Sequence, residues 1–404
     1  MAHRLGKISA HLTASGPSVN NPAAVDPHAY VGQPVSALPT PCLLLDLPGL
    51  EANINTMSTR MAAQNVAWRP HCKAIRSPEL ALMFVEAGAV GVTCAKVSQA
   101  AALVAGGVRD VLLANQIVGA AKIAQLVEMA KAATVCVAVD DAANLRELSA
   151  AAVSAGAQLA VVVDLDIGME RCGVPSTYYD HTNDHATCIA LCKLASALPN
   201  ISWRGLMGYD GHAQEGTVES MAESRRCAAA LKAARDAVEA AGMAVEVVTG
   251  AGSGNYVQAI GLDCVTECQG GGGTLNCQVY MDALGKQASA HQPALFLMIQ
   301  VVSVASQEVS GRAIGDAGFK ANVPLMGGLP QVISHPGVSV TALNAEHTIL
   351  KVEKTAPRLA LGEKLVLVPF YSDATAMLHR QFYGVRDGKV ERIFDMSDSI
   401  GMLH

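Results

Sequence analysis

Between residues 40 and 256 one pattern recurs about eight times: a short apolar run, a turn, then an alanine-rich segment with helical spacing. PCLLLDL (41–47) leads into PGLEANINTMSTRMAAQ, VAWRPHCK (66–73) into SPELALMFVEAGA, GVTCAK (91–96) into VSQAAALVAGG, and DVLLANQ (110–116) into GAAKIAQLVEMAKAA. TVCVAVD (134–140), LAVVVDLDIG (159–168), ISWRGLMGYDG (201–211) and AVEVVTGAGSGNY (244–256) continue the series. Apolar runs without alternation are strands buried on both faces, and a helix after each strand lets the next one lie parallel to it. Eight such units in about 240 residues specify an α/β fold of the (β/α)8 barrel type, placed here at 39–283.

After residue 284 the pattern inverts. ALFLMIQVVSVAS (294–306), VSVTALNAEHTILKVE (338–353), KLVLVPF (364–370) and QFYGVRDGKVERIFDM (381–396) are strand-like runs separated by turn signals such as RDGK. They define an all-β domain over 284–404. Residues 1–38, rich in Pro, Gly, Ser and Asn, form an irregular arm expected to join that domain.

Composition narrows the function classes. With a net charge of −6 and only 16% charged residues, the chain offers no basic patch for nucleic acid and no polybasic membrane anchor. No apolar run reaches the roughly 18 residues of a membrane span. Eleven cysteines scattered among apolar neighbours do not make a disulfide framework, so they are expected to be reduced, packed thiols of a cytoplasmic protein. Small-molecule chemistry is what remains.

In a barrel of this kind the chemistry sits where strands end, at the C-terminal face. Lys73 and His71 end the second apolar run. A lysine at a strand end is ordinarily a solvated charge, but one inside a barrel mouth is desolvated and suited to forming a Schiff base. The sixth run ends at Arg171, preceded by Asp164 and Asp166, which could simply pair with it; the seventh offers Tyr209, Asp210 and His212. The eighth ends in TGAGSGNY, where Thr249, Gly250, Gly252, Ser253, Gly254, Asn255 and Tyr256 form a glycine-rich loop able to aim backbone N–H groups at an anion. QGGGGT (269–274) is expected to be a flexible exit from the barrel. A mouth lysine, an arginine across from it and a phosphate loop together describe a cradle for pyridoxal 5′-phosphate.

These motifs carry a resemblance. From residue 40 to the C-terminus the chain resembles the fold-type III pyridoxal phosphate enzymes, the alanine racemase-like barrels, and within them the D-threonine aldolase and D-serine dehydratase group. RPHCK (69–73) is similar to the group's lysine motif, GMERCGV (168–174) to its glycine-x-x-arginine-x-glycine motif, and LMGYDGH and TGAGSGNY to its strand-seven turn and phosphate loop. GDAGFKA (315–321) and the AEH at 345–347 resemble segments of its β domain. The resemblance implies that Lys73 binds the cofactor, with His71, Arg171, Tyr209 and residues 249–256 around it, and that the protein is a homodimer. In the aldolases a proline-glycine-histidine-cysteine-aspartate signature binds a metal. Here VPFYSDATAMLH (368–379) puts Tyr371 at the histidine position and Asp373 at the aspartate, leaving Asp373, with His347 or His212, to hold a weakly bound Mg²⁺ or Mn²⁺.

The activity so implied is retro-aldol cleavage of a β-hydroxy-D-amino acid, such as D-threonine or 3-hydroxy-D-aspartate, to glycine and an aldehyde. His212, His347 or Tyr371 would be the base for the β-hydroxyl proton. A D-serine or 3-hydroxyaspartate dehydratase would use the same cradle but expel the hydroxyl. A racemase would need an acid–base residue on the opposite face, for which Tyr371 and Tyr383 are candidates.

Overall fold

The computed structural model describes residues 26–286 and 290–396, so most of the N-terminal arm, residues 1–25, lies outside the described residues. The chain forms two compact units, one made of residues 54–273 with 282–286 and 290, the other of 26–53, 274–281 and 291–396.

The first unit is built on eight parallel strands: β1 (Ala67–Trp68), β2 (Val92–Cys94), β3 (Asp110–Gln116), β4 (Thr134–Val139), β5 (Leu159–Asp166), β6 (Ile201–Gly208), β7 (Val247–Gly250) and β8 (Glu267–Cys268). Their order in the sheet is β1-β8-β7-β6-β5-β4-β3-β2. Beyond the end of β1, His71 bridges Thr93 of β2 in parallel register, and the Cys72 N–H donates to the Thr93 carbonyl (2.8 Å), which closes the ring. Alternate residues of neighbouring strands meet inside it: Leu112, Cys136, Ala138, Ala160, Val162 and Met207 form one buried cluster. Helices between the strands are capped by local chemistry. The Asp141 carboxylate accepts from Ala143 N and Asn144 N at the start of Ala142–Ala155, and Gly156, at φ 62, ends that helix. Thr217 and Ser220 form a capping box at the head of Val218–Ala240.

Two strands are not where the sequence pattern puts them. Cys42–Asp46, the first expected barrel run, lies in the other sheet, antiparallel to Leu295–Ser306 and parallel to Gln381–Arg386. The eighth barrel strand is Glu267–Cys268, which the sequence pattern did not mark and which directly precedes the stretch 269–274 expected to be a flexible exit. A run such as CLLLD is buried in either setting and carries no mark of which sheet it joins, while a two-residue strand is too short to show any period.

The second unit holds a mixed sheet ordered Val338–Leu343, Thr348–Val352, Arg312–Gly315, Leu295–Ser306, Cys42–Asp46, Gln381–Arg386, Lys389–Asp395, with Lys364–Val368 also on Leu295–Ser306. RDGK makes the expected hairpin: Asp387 (φ 49) and Gly388 (φ 76) both take positive φ, as a type I′ turn requires. The described part of the arm adds to this sheet, with Gly32 N donating to Val390 O (2.7 Å) and Val35 N to Gly388 O (3.0 Å). Its Tyr30, Val35 and Leu38 pack into a cluster with Leu44, Phe296 and Tyr383. Tyr383 is therefore a core residue, 3% exposed, with its hydroxyl bonded to Gln381, and is not placed for acid–base work. None of the eleven cysteines forms a disulfide, and ten are buried. Among the described residues no helix is long and apolar enough to cross a membrane.

Candidate active site

The turn after β1 holds Lys73. Ile75 N and Arg76 N both donate to the Cys72 carbonyl, and Gln99 Nε2 also donates to it, so the turn is fixed from three sides. Lys73 itself is half-buried, and its backbone N–H donates to His71 Nδ1 (3.2 Å). That bond leaves His71 Nε2 as the protonated nitrogen of a neutral ring. Burial, then the positive charges of Lys73 and Arg171, push the His71 pKa down to about 3, so the ring stays neutral at physiological pH. Residues 98 apart in the chain thus converge on one imidazole.

Arg171 is carried by a turn that Asp166 organises, its Oδ1 accepting from Gly168 N (3.0 Å) and Glu170 N (3.2 Å). Gly173, at φ 106, closes the turn by donating to Asp140 Oδ2 (2.9 Å); a Cβ there would lie 2.5 Å from Asp166 N, so only glycine fits. The exposed Arg171 guanidinium lies 5.3 Å from the centre of the Tyr209 ring, a cation–π contact. Neither expected aspartate forms an ion pair with it. Asp164 accepts from Gln116 Nε2 (2.9 Å), and burial raises its carboxyl pKa to about 7.

The glycine-rich loop after β7 is buried throughout and locked by side chains. Asp210 Oδ2 accepts from Asn255 Nδ2 (2.5 Å) and Ser224 Oγ (2.8 Å), and Asn255 Oδ1 accepts from Gly252 N (3.0 Å). Gln214 Oε1 accepts from Gly254 N (3.0 Å), while Gln214 Nε2 is buried without an acceptor. Two N–H groups expected to face an anion are thus spent on shaping the loop. A donor the sequence did not mark, Gln214 Nε2, is left open beside Gly252, where a Cβ would lie 1.9 Å from it.

Thr249 is fully buried and accepts from Gln269 Nε2 (3.1 Å); Tyr256, also fully buried, opens the short helix Tyr256–Ala259. The run Gly270–Gly273 is a packed wall and not a loose exit. Gly273 N donates to Ser253 Oγ (2.9 Å), and a Cβ on Gly271 would lie 2.4 Å from the His71 carbonyl. It joins the lysine turn to the glycine loop.

His212 goes elsewhere. Its Nε2 lies 3.4 Å from Glu223 Oε1 and 3.7 Å from Cys227 Sγ, against the helix Val218–Ala240. In the second unit His347 is exposed on the turn between Val338–Leu343 and Thr348–Val352. Tyr371 Oη donates to Asp373 Oδ2 (2.6 Å), and Ser372 Oγ to Asp373 Oδ1 (3.3 Å).

Residues 45–272 match the family model described as the alanine racemase N-terminal domain. The chain belongs to that family. Residues 294–385 match a second model, a putative serine dehydratase domain. A D-threonine aldolase of Arthrobacter sp. is 37% identical, covering 93% of this chain and 96% of its own. A 3-hydroxy-D-aspartate aldolase of Paracoccus denitrificans is 36% identical, covering 91% and 94%. A solved D-threonine aldolase from Filomicrobium marinum superposes with a TM-score of 0.82 at 32% identity over 90% of this chain and 96% of that one.

The alanine racemase-like family depends on pyridoxal phosphate, and the residues here fit that group. Lys73 offers a half-buried amine beside a neutral histidine, and Gln214 Nε2 is a buried donor without an acceptor. A divalent cation at Tyr371 and Asp373 fits less well. A phenol with a pKa of about 10 is a poor ligand at neutral pH, and here it already donates its proton to the one carboxylate. Tyr371→His is therefore expected to bind Mn²⁺ at least about tenfold more tightly than the parent, read by calorimetry, if Asp373 is a usable ligand. Equal affinities would mean that this carboxylate cannot hold an ion.

Proposed function

We propose that the chain is a pyridoxal phosphate-dependent lyase that cleaves β-hydroxy-D-amino acids of the D-threonine and 3-hydroxy-D-aspartate type to glycine and an aldehyde. The observation that carries this reading is its likeness, along nearly the whole chain, to two aldolases of those names. When bound, pyridoxal phosphate supplies a ring that accepts the electron pair released as the Cα–Cβ bond breaks.

Lys73 Nζ would hold the cofactor covalently, and the glycine-rich walls with Gln214 Nε2 would receive its phosphate. Arg171, stacked on Tyr209, would face the ring with a fixed positive charge. His71, held neutral, would present Nε2–H as a donor without adding a further charge. The β-hydroxyl proton needs an acceptor, and Tyr371 Oη backed by Asp373 Oδ2 is the best equipped of the three candidates, because the carboxylate can take the phenol's proton in the same step. His212 is engaged by Glu223 and Cys227. The protein would act as a homodimer, and in the cytoplasm, where eleven unpaired thiols stay reduced.

The test is incubation of the purified holoprotein with D-threonine, D-phenylserine, 3-hydroxy-D-aspartate or D-serine, with and without EDTA. Glycine plus aldehyde is expected from the first three, at a rate EDTA leaves unchanged. A 2-oxo acid with ammonia would make it a dehydratase, the activity named for a relative 27% identical to it, and inversion alone a racemase. Loss of activity in EDTA that Mn²⁺ restores would overturn the Tyr371 proton route.

A further inference from the structure

Outside the lysine and phosphate walls, one cluster has ligand chemistry that the proposed reaction does not use. The loop after β6 lays His212 on the helix Val218–Ala240, where Glu223 and Cys227, one turn apart, share a face. The three ligand atoms all lie within 4.8 Å of one another.

The spacing is specific. Around a tetrahedral ion with bonds of about 2.0–2.1 Å to nitrogen and oxygen and about 2.3 Å to sulfur, the nitrogen–oxygen edge is about 3.4 Å and the nitrogen–sulfur edge about 3.6 Å. The observed edges are 3.4 Å, His212 Nε2 to Glu223 Oε1, and 3.7 Å, His212 Nε2 to Cys227 Sγ. Neighbouring groups orient the donors. Tyr178 Oη donates to Glu223 Oε1, and the Tyr178 ring packs edge-on against His212, while Arg226 lies 3.9 Å from Glu223 Oε2 and 4.0 Å above the Tyr178 ring. Such an outer layer fixes ligand geometry in metal sites.

We propose that His212 Nε2, Glu223 Oε1 and Cys227 Sγ bind a borderline-soft divalent cation of the Zn²⁺ class, with water at the fourth position. Imidazole with a thiolate selects Zn²⁺ or Co²⁺ over Mg²⁺ or Mn²⁺. On binding, the Cys227 S–H bond breaks, its electron pair goes to the metal, and the proton leaves to solvent. Burial, reinforced by Asp210 and Glu223, raises the Cys227 pKa. The ion would clamp the loop that carries Tyr209 and Asp210 onto the barrel's outer helix. Asp210 in turn holds Asn255, so the clamp reaches the glycine-rich loop.

The experiment titrates Co²⁺ into the reduced, chelator-treated holoprotein and records the difference spectrum. One equivalent is expected to produce a thiolate-to-cobalt charge-transfer band with the intense visible bands of tetrahedral Co²⁺, both displaced by Zn²⁺. Cys227→Ser should remove the charge-transfer band, and Glu223→Gln, at a half-buried position suited to substitution without unfolding, should weaken binding at least about tenfold. A saturated wild-type protein without the thiolate band, or a band kept at full strength in Cys227→Ser or at full affinity in Glu223→Gln, overturns the site.

Discussion

Lys73→Ala is expected to lose the visible absorption of bound pyridoxal phosphate and at least about a thousandfold in lyase activity, while keeping its far-ultraviolet circular dichroism. The residue lies half-buried in a turn whose backbone bonds, Ile75 N and Arg76 N to the Cys72 carbonyl, persist in the variant, so the fold is expected to be kept. Lys73→Arg sharpens the test, because it keeps the positive charge near His71 but supplies no amine that condenses with an aldehyde. Both variants should resist fixation of a pyridoxyl group by borohydride, whereas in the parent the peptide holding residues 69–76 should gain it. A band unchanged in Lys73→Ala would move the covalent anchor to another lysine. An activity loss with the band intact would instead make Lys73 an acid–base residue.

The site was legible to different depths for identifiable reasons. Lys73, Arg171 and the loop 249–256 end apolar runs, and the strand-end rule needs only the order of those runs. It therefore survives the shift by one strand when Cys42–Asp46 leaves the barrel and Glu267–Cys268 enters. Side-chain commitments were not legible. Nothing in TGAGSGN says that Asn255 and Gln214 consume the Gly252 and Gly254 donors, because those bonds join segments up to 40 residues apart. GYDGH likewise gives no sign that His212 leaves the mouth for a helix one loop later, since orientation depends on where Glu223 and Cys227 fall on that helix. The run 269–274, just after β8, misleads for the opposite reason. Four consecutive glycines suggest slack from composition, yet in place they let two backbones touch.

The other large effect concerns the opposite end of the barrel, where Arg69→Met is expected to destabilise the first unit by about 3–5 kcal/mol. Arg69 Nε donates to Glu267 Oε2 (2.8 Å) and Nη1 to Asp110 Oδ1 (2.5 Å), with Arg69 only 9% and Glu267 5% exposed. Burial alone would disfavour the guanidinium charge, but the attraction of Glu267 and Asp110 outweighs it and raises the Arg69 pKa. These three side chains come from the ends of β1, β3 and β8, so the network holds the last strand to the first and third. Gly91 supplies the space, since a Cβ there would lie 2.5 Å from Arg69 Nη1. Methionine keeps the aliphatic stem but leaves two carboxylates facing each other without a cation, which is why the loss should exceed that of an exposed pair, about 0–1 kcal/mol. Trp68 and Trp203, the chain's two tryptophans, both lie in the barrel, so urea titrations followed by their fluorescence read this unit. Replacing the partners as well, Asp110→Asn and Glu267→Gln, should recover part of the loss. A single variant within about 1 kcal/mol of the parent at pH 8 would mean that water, and not Arg69, satisfies the two carboxylates.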